Sequence, residues 1–264
     1  MLIDSHMHTS FSSDSETPPE VMIEKSIELG LQGICLTDHY DKDYFNGEFQ
    51  LDSQAYYERI QELKERYKGR LDIRFGVELG LQEYLKEWLS SYVNAYPFDF
   101  VIGSMHVLDG KDPYYTELFQ GCDARQVLRD YFISTEKNLE SFHEFQSLGH
   151  LDYLARYFAE ELGEYHYRDY SDEIDAVLKK LIEYQVALEI NTAGYKTMHR
   201  PNPDMDVLKR YRELGGEMIT IGADAHMPEY IGYQFQETAD LICSCGFRFY
   251  TIFRGKKPEF IKII

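Results

Sequence analysis

The sequence has no apolar run long enough to cross a membrane, and it has few basic residues. No stretch of about 18 consecutive apolar residues occurs in the 264-residue chain, so we expect no transmembrane helix. The start lacks the basic flank and apolar centre of a signal peptide. Lysine and arginine total 27 against 46 acidic residues, a formal charge of −19. A surface of that sign repels nucleic acid and anionic membranes, so neither is an expected partner.

Cysteines are also scarce. Cys35, Cys122, Cys243 and Cys245 are the only four, and the C-x-C formed by the last two is weak evidence for a metal site. Reduced thiols in a cytoplasmic protein explain them most simply. The hydrophobic content of 44% is enough for a large core and excludes a disordered chain. We expect one domain over residues 1–264.

Predicted strands and helices alternate along the whole chain. The predicted strands cover 2–4, 31–37, 71–78, 98–104, 147–152, 186–191, 217–224 and 247–253. The predicted helices cover 17–30, 53–69, 82–94, 123–146, 171–184, 204–214 and 229–243. Seven or eight such units predict an α/β fold with a parallel sheet closed into a barrel. No glycine-rich turn of the kind found in open doubly wound sheets follows the first strand.

Histidines and acids lie at the C-terminal ends of the predicted strands or directly after them, at the end of a barrel where active sites lie. They are His6 and His8, Asp38 and His39, Glu78, His106, His150, and Asp224 and His226. Imidazole and carboxylate together suit zinc, iron or manganese. Six of these histidines with Asp14, Glu78 and Asp224 make nine potential ligands, whereas one metal takes about four. We therefore expect two to three divalent transition metals, with at least one bridging carboxylate.

Each candidate has a simpler explanation when taken alone. His-x-His is a weak motif, Thr-Asp-His can cap a helix, and a single buried acid can belong to a salt bridge. Burying so many ionisable groups together without a metal is costly, however, which favours the metal site. His143, His166 and His199 do not follow strands, and we expect the first two to be solvated or helix-borne.

The motifs DSHMHTSFSSD, LTDHY, GVELG, GSMH, GHLD and GADAH, in this order, resemble the polymerase-and-histidinol-phosphatase (PHP) superfamily. The segments NTAGY, YTIFRGKKP and GHLDYLARY are similar to its monofunctional histidinol-phosphate phosphatases, although the loop 192–203 is only loosely so. The resemblance covers the whole chain. It implies a distorted (β/α)7 TIM-like barrel that binds up to three metals and hydrolyses phosphoesters.

The resemblance also implies a ligand set for each metal. His6 and His8 would hold the first metal with Asp224. Glu78 would bridge to a second metal, completed by His106 and His150. Asp14, His39 and His226 would hold the third.

The expected reaction is hydrolysis of a small phosphomonoester. Three divalent ions outweigh three carboxylates, so the site stays cationic and attracts a phosphate dianion. Metals lower the pKa of bound water to about 7, which supplies the nucleophile. Asp38 or His199 would protonate the leaving group, and these two stay open as alternatives. Glu78 and Asp224 would act through the metals.

Substrate contacts are expected from three arginines and from aromatic residues. Arg156, Arg200 and Arg254 would hold the phosphate with paired hydrogen bonds, or belong to surface salt bridges. Tyr40, with Tyr44 and Phe119, would line an acidic mouth suited to the ammonium and imidazole of histidinol phosphate.

Histidinol phosphate is the leading substrate. The alternatives are a phosphotyrosine-protein or nucleotide phosphoesterase on the same scaffold, and a non-catalytic metal-binding module. The charge of −19 disfavours a polymerase-associated exonuclease.

Overall fold

Seven strand positions close into a parallel barrel in the computed structural model, which describes residues 3–158 and 165–263. Its strands are β1 (Ile3–Asp4), β2 (Gly33–Leu36), β3 (His39–Tyr40), β4 (Asp72–Gly80), β5 (Phe100–Ser104), β6 (Ser147–Leu148), β7 (Ala187–Asn191) and β8 (Ile219–Gly222). The hydrogen-bonded order is β1, β2, β4, β5, β6, β7, β8. Because β3 pairs with β4 beyond the end of β2, it continues the same strand position. Leu2 of the predicted first strand lies outside the described residues.

The barrel closes between its first and last strands. The backbone N–H of Ser5 donates to the carbonyl of Ile221 at 3.0 Å, and that of Asp224 donates to the carbonyl of His6 at 2.8 Å. The distorted (β/α)7 barrel expected from the resemblance is thereby confirmed.

Helices cover the outside of the barrel between successive strands. They are α1 (Pro19–Glu28), α2 (Ser53–Arg66), α3 (Lys86–Ala95), α4 (Ala124–Ser141), α5 (Ser171–Tyr184), α6 (Tyr195–Met198), α7 (Met205–Glu213) and α8 (Phe235–Ser244). The side chains of Asp52, Asp123 and Asp204 accept hydrogen bonds from the first turns of α2, α4 and α7, which explains where these helices start.

Two predicted helix boundaries are wrong. The predicted helix 123–146 ends at Ser141, because Phe142 is extended and its ring packs into the core beside Phe145. The predicted helix 229–243 begins only at Phe235, after a 3₁₀ turn at Pro228–Tyr230.

The last predicted strand is not part of the barrel. Residues Phe249–Arg254 (β9) pair antiparallel with Lys257–Lys262 (β10), a strand that the sequence prediction missed. Gly255 and Lys256 form the two-residue turn with positive φ values of 53° and 63°, as tight hairpins require. Phe253 stacks on Phe100 at the start of β5, with ring centroids 5.4 Å apart. The hairpin therefore covers the N-terminal end of the barrel and leaves the other end open.

None of the helices in the described part of the chain is both long and apolar enough to cross a membrane.

Candidate metal centre

The nine predicted ligands meet at the C-terminal ends of the barrel strands. The carboxylate of Glu78 lies at their centre, because side chains alternate along β4 and Glu78 faces into the barrel. Nitrogen atoms of five imidazoles lie within 3.4 Å of its two oxygens. They belong to His6, His8, His39, His106 and His150.

The ligand atoms fall into small groups, each with atoms within 4.8 Å of one another. Two groups match the sets implied by the resemblance: His6, His8 and Asp224, and Glu78, His106 and His150. A third joins His8, His39 and His226, and a fourth joins His39, Asp41 and His106. Asp14 lies beside the third group, with its carboxylate 2.9 Å from Nε2 of His226 and 3.6 Å from Nε2 of His39.

The hydrogen bonds around His6 and His8 leave lone pairs that need a cation. Nδ1 of His6 bonds to Glu189 at 2.5 Å, so in the neutral imidazole that nitrogen carries the proton and Nε2 carries the lone pair. The Ser12 hydroxyl donates to Asp38 and accepts from Nδ1 of His8, which likewise leaves Nε2 of His8 unprotonated. These two Nε2 atoms are 3.0 Å apart, and Nε2 of His6 is also 3.0 Å from Glu78. Lone pairs that converge in this way fit a divalent metal ion.

Buried atoms without hydrogen-bond partners support the same conclusion. Nδ1 of His39 and Nε2 of His226 are buried and have no hydrogen bond in the described structure. His39 Nδ1 is 3.1 Å from Glu78 without hydrogen-bond alignment. Coordination of a metal satisfies such nitrogens.

The electrostatics of the cluster require positive charge at its centre. Burial alone lowers the pKa of His6, but the carboxylates of Glu189, Glu78 and Asp224 outweigh it and raise that pKa well above its ordinary value. Burial alone raises the pKa of Glu78 and of Asp224, but the surrounding imidazoles lower both well below the ordinary range. Without a metal, the acids stay ionised beside protonated imidazoles; a bound metal would supply that positive charge and leave the imidazoles neutral.

Three supporting side chains were missed by the sequence prediction. Glu189 on β7 bonds to His6 and also accepts from the backbone N–H of His150 at 2.8 Å. Asp41 bonds to Nδ1 of His106 at 2.7 Å. The Ser104 hydroxyl donates to Glu78 at 2.6 Å. The sequence carried one usable signal, since Glu189 is the only charged residue in the apolar segment VALEIN.

We expect Glu189→Gln to weaken metal binding by about 10- to 100-fold, as loss of a partner that orients a ligand usually does. Glutamine has only one acceptor oxygen, and an amide oxygen accepts more weakly than a carboxylate. It can therefore accept from Nδ1 of His6 or from the backbone N–H of His150, but its NH2 group cannot accept from the other. Competition with a chromogenic chelator measures the metal dissociation constant. Glu183→Gln, at an exposed position on α5, is the matched control. Equal affinity in wild type and Glu189→Gln would show that Glu189 does not orient His6.

Arg156 is the one predicted phosphate-binding arginine that lines the same cavity. Its guanidinium lies over the rings of Tyr153 and Tyr157, at 4.0 and 4.8 Å from their centroids. It also donates to the Tyr157 hydroxyl at 2.7 Å. Stacking on both rings fixes the guanidinium in place, while several of its N–H groups remain available.

Arg200 and Arg254 both bind carboxylates. Arg200 donates to the buried carboxylate of Asp152 at 2.8 Å and does not line the cavity. Arg254 binds Asp72 with two N–H groups, at 3.1 and 3.0 Å. Asp72 begins β4, and Glu78 lies six residues further on, about 20 Å along the strand. Arg254 is therefore at the closed end of the barrel, and its predicted contact with phosphate is wrong.

The predicted role of Tyr40 in the mouth is also wrong. Side chains alternate along β3, so His39 faces the metal centre and Tyr40 faces outward. The Tyr40 ring packs against Trp88 and Tyr92 of α3, each at 4.9 Å between centroids. Phe119 packs against Phe158 away from the cavity, whereas Tyr44 does line it.

Neither predicted proton donor lies in the cavity. Asp38 is fully buried and accepts four hydrogen bonds, from the backbone N–H groups and hydroxyls of Thr9 and Ser12. It holds the loop after β1 and does not line the cavity. His199 is exposed at the end of α6 and does not line the cavity.

Comparison with known proteins places these features in context. The PHP domain family matches residues 4–193. The probable histidinol-phosphatase of Clostridium acetobutylicum is 34% identical over 252 residues, which cover 94% of this chain and 95% of that protein. The histidinol-phosphatase of Lactococcus lactis subsp. lactis is 31% identical over 259 residues, which cover 97% of this chain and 96% of that protein.

A solved structure is also similar. The crystal structure of histidinol phosphate phosphatase from Lactococcus lactis subsp. lactis superposes with a TM-score of 0.88 at 28% identity. The match covers 97% of this chain and 98% of that one. That crystal contains zinc, L-histidinol and phosphate.

Proposed function

The chain belongs to the PHP domain family, and we propose on this basis that it hydrolyses histidinol phosphate to histidinol and phosphate. The observation that carries this function is the convergence of six histidines and three acids, with Glu78 at their centre, at the open end of the barrel. A related structure of the same fold, covered over almost its full length, contains zinc and both products of this reaction.

The enzyme depends on two to three divalent metal ions, with zinc, iron and manganese as the candidates. We propose that His6, His8 and Asp224 hold one ion, that Glu78 with His106 and His150 holds a second, and that Asp14, His39 and His226 hold a third. When bound, such ions polarise the phosphate and lower the pKa of a water molecule to about 7. The chain contributes neutral imidazoles, whose outer nitrogens are fixed by Glu189, Ser12 and Asp41.

The open cavity distinguishes this site from that of a non-catalytic metal-binding module. A structural metal site is closed by its protein ligands, whereas this one opens onto a cavity that Arg156 also lines. Release of inorganic phosphate from histidinol phosphate by the metal-loaded protein tests the proposal. Metal binding without phosphate release would instead favour a non-catalytic module.

We expect Arg156→Ala to raise KM and to lower kcat/KM by about 10- to 150-fold, because one charge-assisted contact with the phosphate is lost. Arg254→Ala is the matched control, since Arg254 lies at the other end of the barrel. Steady-state kinetics with histidinol phosphate measure both variants. The phosphate role is refuted if the two variants behave alike.

We also propose a cytoplasmic location. All four cysteines are unpaired, which is consistent with a reducing compartment.

A further inference from the structure

Four aspartates line the cavity above the metal centre, and three of them contact histidine. The nearest carboxylate-to-imidazole distances are 2.9 Å for Asp14 and His226, 2.7 Å for Asp41 and His106, and 3.2 Å for Asp224 and His8. Asp112 is the fourth. In the described part of the chain, no lysine, arginine or histidine nitrogen lies within 4.0 Å of its carboxylate.

The partners of Asp112 are neutral. The Tyr44 hydroxyl donates to Oδ2, and the backbone N–H of Tyr114 donates to Oδ1 at 2.7 Å. Asp112 is only 7% exposed. A carboxylate buried without a positive partner raises the free energy of the empty site, and a cationic group bound beside it would remove that cost.

The surroundings of Asp112 suit an organic cation. The Tyr44 ring stands edge-on to Phe49 at 4.8 Å between centroids, and Phe49 contacts His39 of the metal centre at 5.2 Å. Burial and the Asp112 carboxylate raise the pKa of Tyr44, so its hydroxyl stays protonated at neutral pH. Aromatic faces and a carboxylate thus lie in the same cavity as the metal ligands.

We propose that Asp112 is a specificity-determining residue that binds the ammonium group of the leaving alcohol. The cavity would therefore prefer phosphomonoesters of amino alcohols over neutral alkyl phosphates. This inference rests on the proposed function, because the metals bind the phosphate. In histidinol phosphate the ammonium lies on the carbon next to the ester CH₂, so phosphate at the metals places the ammonium nearby.

The test compares 2-aminoethyl phosphate with propyl phosphate, which has a similar size but no charge on its alcohol. Wild type is expected to prefer 2-aminoethyl phosphate. In Asp112→Asn the ratio of the two kcat/KM values is expected to fall by about 10- to 100-fold, the effect of one hydrogen bond to a charged group. Glu117→Gln removes a charge from an exposed position of the same loop and should leave the ratio unchanged.

Tyr44→Phe separates charge recognition from loop structure. This variant keeps the carboxylate and removes its hydroxyl partner, so it should retain most of the preference. An equal loss for both substrates in Asp112→Asn would overturn the inference, because Asp112 would then only hold the loop.

A wild-type ratio near one would also overturn the inference, and that measurement does not depend on a variant folding. Failure of the proposed function gives a different result. In that case histidinol phosphate is turned over no faster than either small ester, whereas the Asp112-dependent ratio can still be present.

Discussion

Replacing Glu78 with glutamine is expected to lower kcat/KM for histidinol phosphate by at least about 100-fold. One carboxylate oxygen of Glu78 is 3.0 Å from the imidazole of His6, and the other is 3.0 Å from the imidazole of His150. This one side chain therefore contacts ligands of both the first and the second proposed metal. An amide nitrogen has no lone pair to offer a metal, so glutamine cannot bridge. Loss of a residue that only orients a ligand costs 10- to 100-fold, and loss of a direct ligand should cost more.

The fold should survive this substitution. Glutamine has nearly the same shape, and the Ser104 hydroxyl can still donate to the amide oxygen, as it does to Glu78 at 2.6 Å. Circular dichroism and elemental analysis of the same sample separate folding from metal content. Glu83→Gln, an exposed acid soon after the same strand, is the control and should be fully active. Activity of Glu78→Gln within a few-fold of wild type would exclude a bridging role.

Removal of the metals is expected to abolish phosphatase activity and to lower the melting temperature. The buried cluster has imidazole nitrogens 3.0 Å apart and ionised carboxylates around them, an arrangement that cations stabilise. Metal at 1,000 times its dissociation constant stabilises the folded state by about 4 kcal/mol per site. For a chain of this size, that corresponds to a fall of roughly 8–16 °C for each site that chelation empties.

Dialysis against a chelator, followed by addition of zinc, manganese or iron, tests this expectation. Thermal unfolding and phosphate release are measured on the same samples, and both should recover with two to three metals per chain. Full activity with less than one metal per chain would contradict the multinuclear site. An unchanged melting temperature would show that the cluster is stable without cations.

The ligand residues could be found in the sequence because of a simple regularity of barrels. Each one lies near the C-terminal end of a strand or in the loop after it, so the order of elements already placed them at one end. Glu189 and Asp41 were harder to find, because each contacts its histidine only once the barrel closes. Glu189 lies 183 positions from His6 in the chain.

Side-chain direction and ion pairing explain the wrong predictions. Tyr40 follows His39, yet alternation along β3 turns its ring to the outside of the barrel. Arg254 occurs in a motif similar to that of histidinol-phosphate phosphatases, but it pairs with Asp72 at the opposite end. Asp112 was not predicted, because it lies in the connection between β5 and α4, where no periodic pattern indicated which residues are buried.

The most direct test of the central claim is a side-by-side measurement of kcat/KM on the metal-loaded protein. The substrates are histidinol phosphate, p-nitrophenyl phosphate and phosphotyrosine. We predict that histidinol phosphate is preferred by on the order of 100-fold, since two polar contacts to its ammonium and imidazole are each worth about 1.5 kcal/mol. A higher kcat/KM for phosphotyrosine than for histidinol phosphate would contradict the histidinol-phosphatase assignment.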